Sequence, residues 1–254
     1  EAEPLMRRAL TIDQAAYGPE HPHVAIRLNN LAALLQATNR RAEAEPLMRR
    51  AWTIDQAAYG PEHPRVAIRL NNLALLLKDT NRLAEAEPLM RRAFTIDQAA
   101  YGPDHPEVAT DLNNLAQLLQ DTNRLAEAEP LMRRAFTIDE AAYGPDHPRV
   151  ATDLNNLASL LKATNRLAEA EPLMRRAWTI DQAAYGPDHP DVARDLNNLA
   201  QLLQATNRLP EAEPLMRRAL AIAEKALGAD HPNTQAYQLN YALLKAASAT
   251  QDAE

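Results

Sequence analysis

Cysteine is absent from the chain, which excludes disulfides and thiolate metal sites. Serine is almost as rare: Ser159 and Ser248 are the only two, so a serine-based catalytic triad has little to draw on. Aromatic residues make up 4% of the sequence while alanine and leucine dominate, a balance that favours close-packed helices over a β-sandwich. No apolar run is longer than a few residues, so no membrane-spanning helix is expected. Gly-rich phosphate loops, nucleophile elbows and zinc-type spacings are also missing, and neither catalysis nor a metal or cofactor is expected. The 27 Lys and Arg are outnumbered by 34 Asp and Glu, and a net charge of −7 argues against nucleic acid or an anionic membrane as partner. The sequence opens on Glu1 without a methionine or signal peptide. It reads as a fragment or processed chain, with a cytoplasmic location expected.

What is present is one unit written six times. "EAEPLMRRA" starts at Glu1, Glu43, Glu85, Glu127, Glu169 and Glu211, a period of 42. All six glycines and all six methionines keep their place in the unit, and of 18 prolines only Pro210 falls outside three repeat positions. Two helical patterns alternate. In "VATDLNNLAQLLQDT", Val108, Leu112, Leu115, Ala116 and Leu119 recur at three- and four-residue steps and define helix A. "TNR" interrupts the pattern, with Asn123 suited to a left-handed conformation. Helix B follows as "LAEAEPLMRRAFTIDEAAY", with Leu125, Ala128, Leu131, Met132, Ala135, Phe136, Ile138 and Tyr143 on its expected buried side. Pro130 lies about a turn into it, so the helix starts either at Leu125 or a few residues later.

A single helix pair cannot bury a two-sided apolar surface; stacking the next pair does. The position after "RRA" is large and apolar throughout (Leu10, Trp52, Phe94, Phe136, Trp178, Leu220), as a contact between repeats requires. The expected fold is therefore all-α: a single array over residues 1–254, an α-solenoid of about 12 stacked antiparallel helices. The last helix, expected over 231–248, carries Gln238, Tyr241 and Lys245 where earlier repeats have leucine, which suits a C-terminal cap.

These residues resemble the tetratricopeptide repeat (TPR). Its helix A signature corresponds to Leu112, Leu115, Ala116 and Leu119, and its helix B alanine pattern to Ala128, Met132 and Ala135. The 42-residue length with "LNNLA", "EAEPL", "RRA" and "GPDHPxVA" is similar to the kinesin light chain type of repeat. The resemblance implies a right-handed superhelix in which helix A lines a concave groove for an extended peptide or partner segment. It also implies a role for asparagines at matching positions in holding cargo peptides. The basic set of a carboxylate-clamping co-chaperone repeat is not evident.

Two motifs invite chemistry. The acid–histidine pair of "YGPDHP" (Asp146–His147 and five equivalents) could be half of a metal or catalytic site. Six dyads spaced by the width of packed helices do not make one site, and the structural reading prevails: glycine as a left-handed C-cap, proline as a stop, the acid as N-cap of helix A. The paired asparagines Asn29/Asn30, Asn71/Asn72, Asn113/Asn114, Asn155/Asn156 and Asn197/Asn198 are the candidate groove. They are either a ladder of amides for a peptide backbone or hydrogen bonds between neighbouring helices. Lys78, Gln117, Gln120, Lys162, Gln201 and Arg194 extend the predicted groove, because repeats differ there: "IR" at Ile68–Arg69 becomes "TD" at Thr110–Asp111 and "RD" at Arg194–Asp195. The arginine pairs (Arg49/Arg50 and equivalents) read as a salt-bridged, solvated face rather than a phosphate-binding stripe. The function that follows is a non-catalytic scaffold for a protein or peptide segment. The alternative is a structural, self-assembling or sensor region of a larger signalling protein, with a homo-oligomer formed through the N-terminal end.

Overall fold

The computed structural model describes residues 2–251, and all their regular structure is helical. In chain order the helices are α1 (Ala2–Tyr17), α2 (Pro22–Ala37), α3 (Arg41–Tyr59), α4 (Pro64–Asp79), α5 (Leu83–Tyr101) and α6 (Pro106–Asp121). They continue as α7 (Leu125–Tyr143), α8 (Pro148–Ala163), α9 (Leu167–Tyr185), α10 (Pro190–Ala205), α11 (Leu209–Leu227) and α12 (Pro232–Gln251). Even-numbered helices are helix A of the repeat and odd-numbered ones helix B. The chain divides into two compact units, one through Leu131 and one from Met132, each a stack of helix pairs built in the same way.

Each turn is set by a residue whose backbone conformation few others tolerate. After α6, Asn123 has φ +59°. Its N–H bonds Gln120 O at 2.9 Å and that of Arg124 bonds Leu119 O at 2.8 Å, so the loose carbonyls of α6 are closed in a Schellman motif. Helix B ends differently. Gly102 has φ +91° and ψ +163°, well away from the left-handed helical values expected and in a region that is essentially glycine's alone. Its N–H still bonds Gln98 O at 3.1 Å, so it ends α5 while sending the chain off extended.

The histidine, not the acid, caps helix A. In α6, His105 is the N-cap and its Nδ1 accepts the Glu107 N–H at 3.2 Å, with Pro106 behind it as the first helical residue. The same bond recurs at His21, His63, His147, His189 and His231. The acid lies one residue too early to reach the second helical N–H. Tyr143, expected in the core, is instead exposed and stacks on His147, ring centroids 4.6 Å apart, with the Arg149 guanidinium 5.2 Å from the Tyr143 ring centroid. Helix B starts at Leu125 with Pro130 inside it, so the single forfeited backbone bond does not delay the helix.

Packing follows the apolar periodicity. In the first unit Val24, Ala25 and Leu28 of α2 meet Ala51 and Ile54 of α3, and Leu10 of α1 reaches in from the preceding repeat. Val66, Ala67 and Leu70 of α4 do the same with α5 and with Trp52 of α3. In the second unit Phe136 packs on the α8–α9 cluster and Trp178 on the α10–α11 cluster. The large residue after "RRA" thus completes the core of the next repeat.

Ion pairs follow the same seams. Arg40 bonds Glu3 of α1 at 2.6 Å and Glu43 of α3 at 2.7 Å, and Arg82 joins Glu45 to Glu85. Hydrogen bonds from Arg40 and Arg82 hold the carboxyls of Glu43 and Glu85 below the usual carboxylate range. Each arginine pair divides its labour. Arg49 closes an i,i+4 bridge to Glu45, while Arg50 donates to the Pro19 carbonyl of the preceding connector at 3.1 Å. Arg92, Arg176 and Arg218 make the same carbonyl bond.

The two turn types make a paired expectation. A Cβ at Gly102 would meet nothing within 4 Å, so substitution there is penalised by conformation alone. Gly102→Asn and Gly102→Ala should each lose about 1–3 kcal/mol in urea unfolding, whereas Asn123→Gly should stay within about 0.5 kcal/mol of the parent. Equal losses at both turns would contradict this assignment.

Candidate functional site

The predicted groove residues lie along helix A in each unit, and the structure links many of them to one another. Asn72 Nδ2 donates to Asn29 Oδ1 at 3.0 Å, and Asn240 repeats the bond to Asn197. The first asparagine of a pair reaches forward to a carboxylate instead: Asn71 donates to Asp111 Oδ1, and Asn155 to Asp195 Oδ1 at 2.7 Å. Asn155 and Asn197 are buried, Asn29, Asn71, Asn72, Asn113, Asn114, Asn156 and Asn198 half-buried, and Asn30 exposed. Hydrogen bonding between neighbouring helices, one of the two alternatives, is therefore present. Outward of it, Gln36 bonds Asp79 at 2.8 Å, Lys78 pairs with Asp121 at 3.3 Å, and Lys162 donates to Gln201 at 2.9 Å. Burial lowers the Lys162 pKa, so this ammonium holds its proton less tightly than a solvated one. Gln117, Gln120, Gln201 and Arg194 are half-buried.

In the first unit these side chains border a hollow of about 200 Å³ between α2 and α4, lined by Asn29, Ala33, Gln36, Met48, Asn72 and Leu75. A larger and more open hollow of about 590 Å³ lies on the helix B side, against Trp52, Gln56, Pro61 and Arg92. It is a seam between repeats. At the equivalent place in the second unit, Gln182 accepts from both Trp178 Nε1 and Arg218.

A buried line of acids behind the asparagines went unrecognised in the sequence. Asp55, Asp97, Asp139 and Asp181 of helix B are at most 4% exposed, and Asp111, Asp153 and Asp195 of helix A at most 1%. In the first two repeats the facing residue is arginine: Arg27 Nε pairs with Asp13 and Arg69 Nε with Asp55, both at 2.8 Å. In repeat three it is Asp111, and two carboxyls, Asp97 and Asp111, hydrogen-bond each other. Burial is the main cause that pushes Asp111 up to about 7 and Asp97 up to about 6; Glu107 adds repulsion. In repeat five Asp195 faces Asp181, burial raises both, and Arg194 bridges them. The "IR" to "TD" to "RD" changes therefore alter a buried charge partner at their second position, not an open groove surface. The signal available was recurrence: an acid follows the isoleucine of helix B in five of the six units, the last having Ala223.

Among the described residues no group of three or more His, Cys, Asp or Glu could hold a metal ion, and no helix is long and apolar enough to cross a membrane.

Repeating helix pairs and a core residue that reaches forward into the next pair define a helical-repeat protein. The tetratricopeptide repeat family model matches in six overlapping stretches: 1–57, 28–99, 70–141, 112–183, 158–225 and 196–254. The chain belongs to the tetratricopeptide repeat family, and its 42-residue units are kinesin light chain-like. Among solved structures, BtubC (BKLC) from P. vanneervenii is 25% identical with a TM-score of 0.70, over 91% of this chain and 89% of that one. The nearly identical TPR-like repeats of a Podosopora anserina protein named as a kinesin light chain give 23% identity and a TM-score of 0.66, over 82% of this chain and 98% of that one. A single-substitution form of the same repeats gives 23% and 0.68, over 81% and 97%. No curated protein matches in sequence. Repeats of this family generally serve protein–protein interaction without catalysis.

The acid pairs give the fold a pH signature. Asp97 and Asp111 bind protons more tightly folded than unfolded, so their contribution is full below about pH 4 and is lost as pH rises through about 6 to 7. Urea unfolding at pH 5 should show greater stability than at pH 8. Asp111→Asn should flatten that slope by on the order of 2 kcal/mol and leave the protein more stable than the parent at pH 8. A parent whose stability is level or rising between pH 5 and 8 would contradict it.

Proposed function

We propose that the chain is a non-catalytic scaffold that holds an extended partner segment along helix A. The observation that carries the reading is the hollow between α2 and α4. Its floor, Asn29 and Asn72, recurs in the repeats, while its walls, Ala33 and Leu75, sit at positions occupied elsewhere by Gln117, Ser159 and Gln201. A constant amide floor suits a peptide backbone, and variable walls suit its side chains. Because the floor amides already bond each other, a peptide would use their remaining donors and acceptors rather than replace the inter-helix bonds. The kinesin light chain likeness points the same way, toward a segment of another protein rather than a small molecule.

Selection from a displayed library of extended peptides tests this directly. Selected peptides should bind the parent and lose at least about tenfold, roughly 1.4 kcal/mol, on Ala33→Arg or Leu75→Asp with unchanged melting temperature. Thr95→Lys, on helix B, should leave affinity as it was. Peptides indifferent to the helix A changes but weakened by the helix B change would remove this reading.

A further inference from the structure

The two tryptophans of the chain hold the same place in the repeat, but only one has its indole N–H satisfied. In repeat five Trp178 Nε1 donates to Gln182 Oε1 at 3.1 Å. Arg218 Nη2 reaches the same oxygen at 3.3 Å while bonding the Pro187 carbonyl at 3.1 Å. The ten residues from Trp52 to Pro61 in repeat two are identical to those from Trp178 to Pro187. There Arg92 Nη2 keeps the carbonyl bond, to Pro61 at 3.1 Å, but no acceptor among the described residues reaches the buried Trp52 Nε1. A buried donor left without a partner is costly. The seam is open instead: Trp52, Thr53, Gln56, Ala57, Pro61 and Arg92 line the hollow of about 590 Å³ on the helix B side. That volume is in the range of small-ligand sites.

Repeat four shows which charged acceptor such a seam takes. Glu140 stands where repeats two and five have glutamine, and its Oε1 accepts from Arg176 Nη2 at 2.6 Å. Phe136 replaces the tryptophan, its ring centroid 5.7 Å from the Arg176 guanidinium. In repeat two the one carboxylate within 4 Å of Arg92 among the described residues is the exposed Glu62, at 3.8 Å and beyond hydrogen-bond reach. Arg92 is half-buried and tied to Pro61, and Trp52 is anchored on Val66, Ala67 and Leu70, so both donors are held before anything binds.

We propose that the hollow between repeats two and three binds the carboxylate of a ligand with an apolar body. One carboxylate oxygen takes the place that Gln182 Oε1 holds in repeat five, accepting from Trp52 Nε1 and Arg92, and the body lies against Trp52, Ala57 and Pro61. Gln56 also lines the hollow, four residues after Trp52 as Gln182 is after Trp178, and its side chain turns aside to admit the oxygen. A carboxylate outcompetes the neutral glutamine oxygen because its bonds to a guanidinium are charge-assisted. The group is supplied by a free monocarboxylic acid or by the carboxyl terminus of a chain. The site is built on helix B, away from the helix A amides, and does not rest on the scaffold reading.

The two indole N–H signals report on the two seams separately in 15N-resolved NMR of the full chain, assigned with Trp52→Phe and Trp178→Phe. On titration with 4-phenylbutyrate at neutral pH the Trp52 signal should move saturably. The Trp178 signal, whose acceptor is already in place, should move less. Neutral 4-phenylbutyramide should bind at least about tenfold more weakly, the worth of a hydrogen bond to a charged group. Gln56→Glu imitates Glu140 and fills the site from within, so the Trp52 signal should shift without ligand and no longer respond to the acid. N-acetyl-phenylalanine carries the same ring and carboxylate as a chain terminus does. Binding tighter than that of phenylbutyrate assigns a carboxyl terminus as the source, and weaker binding a free acid. Equal movement of the two indole signals, an amide that binds as well as the acid, or a response that survives Gln56→Glu would overturn the assignment.

Discussion

Within each unit a helix A such as α2, α4 or α10 is wedged between the helix B before it and the helix B after it, and the surface it buries is shared between the two. Val66, Ala67 and Leu70 of α4 are covered on one side by Ala93 and Ile96 and closed on the other by Trp52, a residue of the preceding repeat. A lone repeat would leave half of that surface in water, so the fold depends on contacts one repeat deep. The other recurrent features serve the same junction. The Arg40-type guanidinium ties successive helix B elements together, the second arginine of "RRA" holds the connector, and the asparagines bond helix A to helix A.

Much of this was legible in the sequence because repetition replaces the missing context. A residue that recurs at a period of 42 must do the same work each time, so the core positions of both helices, the left-handed asparagine and the helix-stopping glycine could be read directly. What failed was the assignment of neighbours. Aspartate and histidine both cap helices in principle, but only the histidine stands where its ring nitrogen meets the second helical N–H. Tyr143 has the character of a core residue and the spacing to match, yet it lies past the last turn covered by the next helix A and finds its partner in the connector.

The buried acids escaped for a different reason. Hydrophobic patterning assigns an aspartate to water, and nothing local to Asp55 or Asp97 says otherwise. Their burial is tolerated through groups 14 residues away on the next helix, an arginine for Asp55 and a second carboxyl for Asp97. Variation among repeats drew attention to one stretch of helix A, and half of that variation concerns the charge partner of a hidden acid.

The connectors carry one more consequence. With repeats so alike, the apolar face of one helix A would fit against almost any helix B in the chain, which in other arrays invites misassembly between repeats. Three residues separate α6 from α7 and four separate α5 from α6. Four extended residues reach only about 14 Å, enough for the adjacent helix and no further. The order of assembly is therefore written in loop length rather than in side-chain recognition, and the glycine and histidine that keep each connector short act as the proofreading of an otherwise degenerate code.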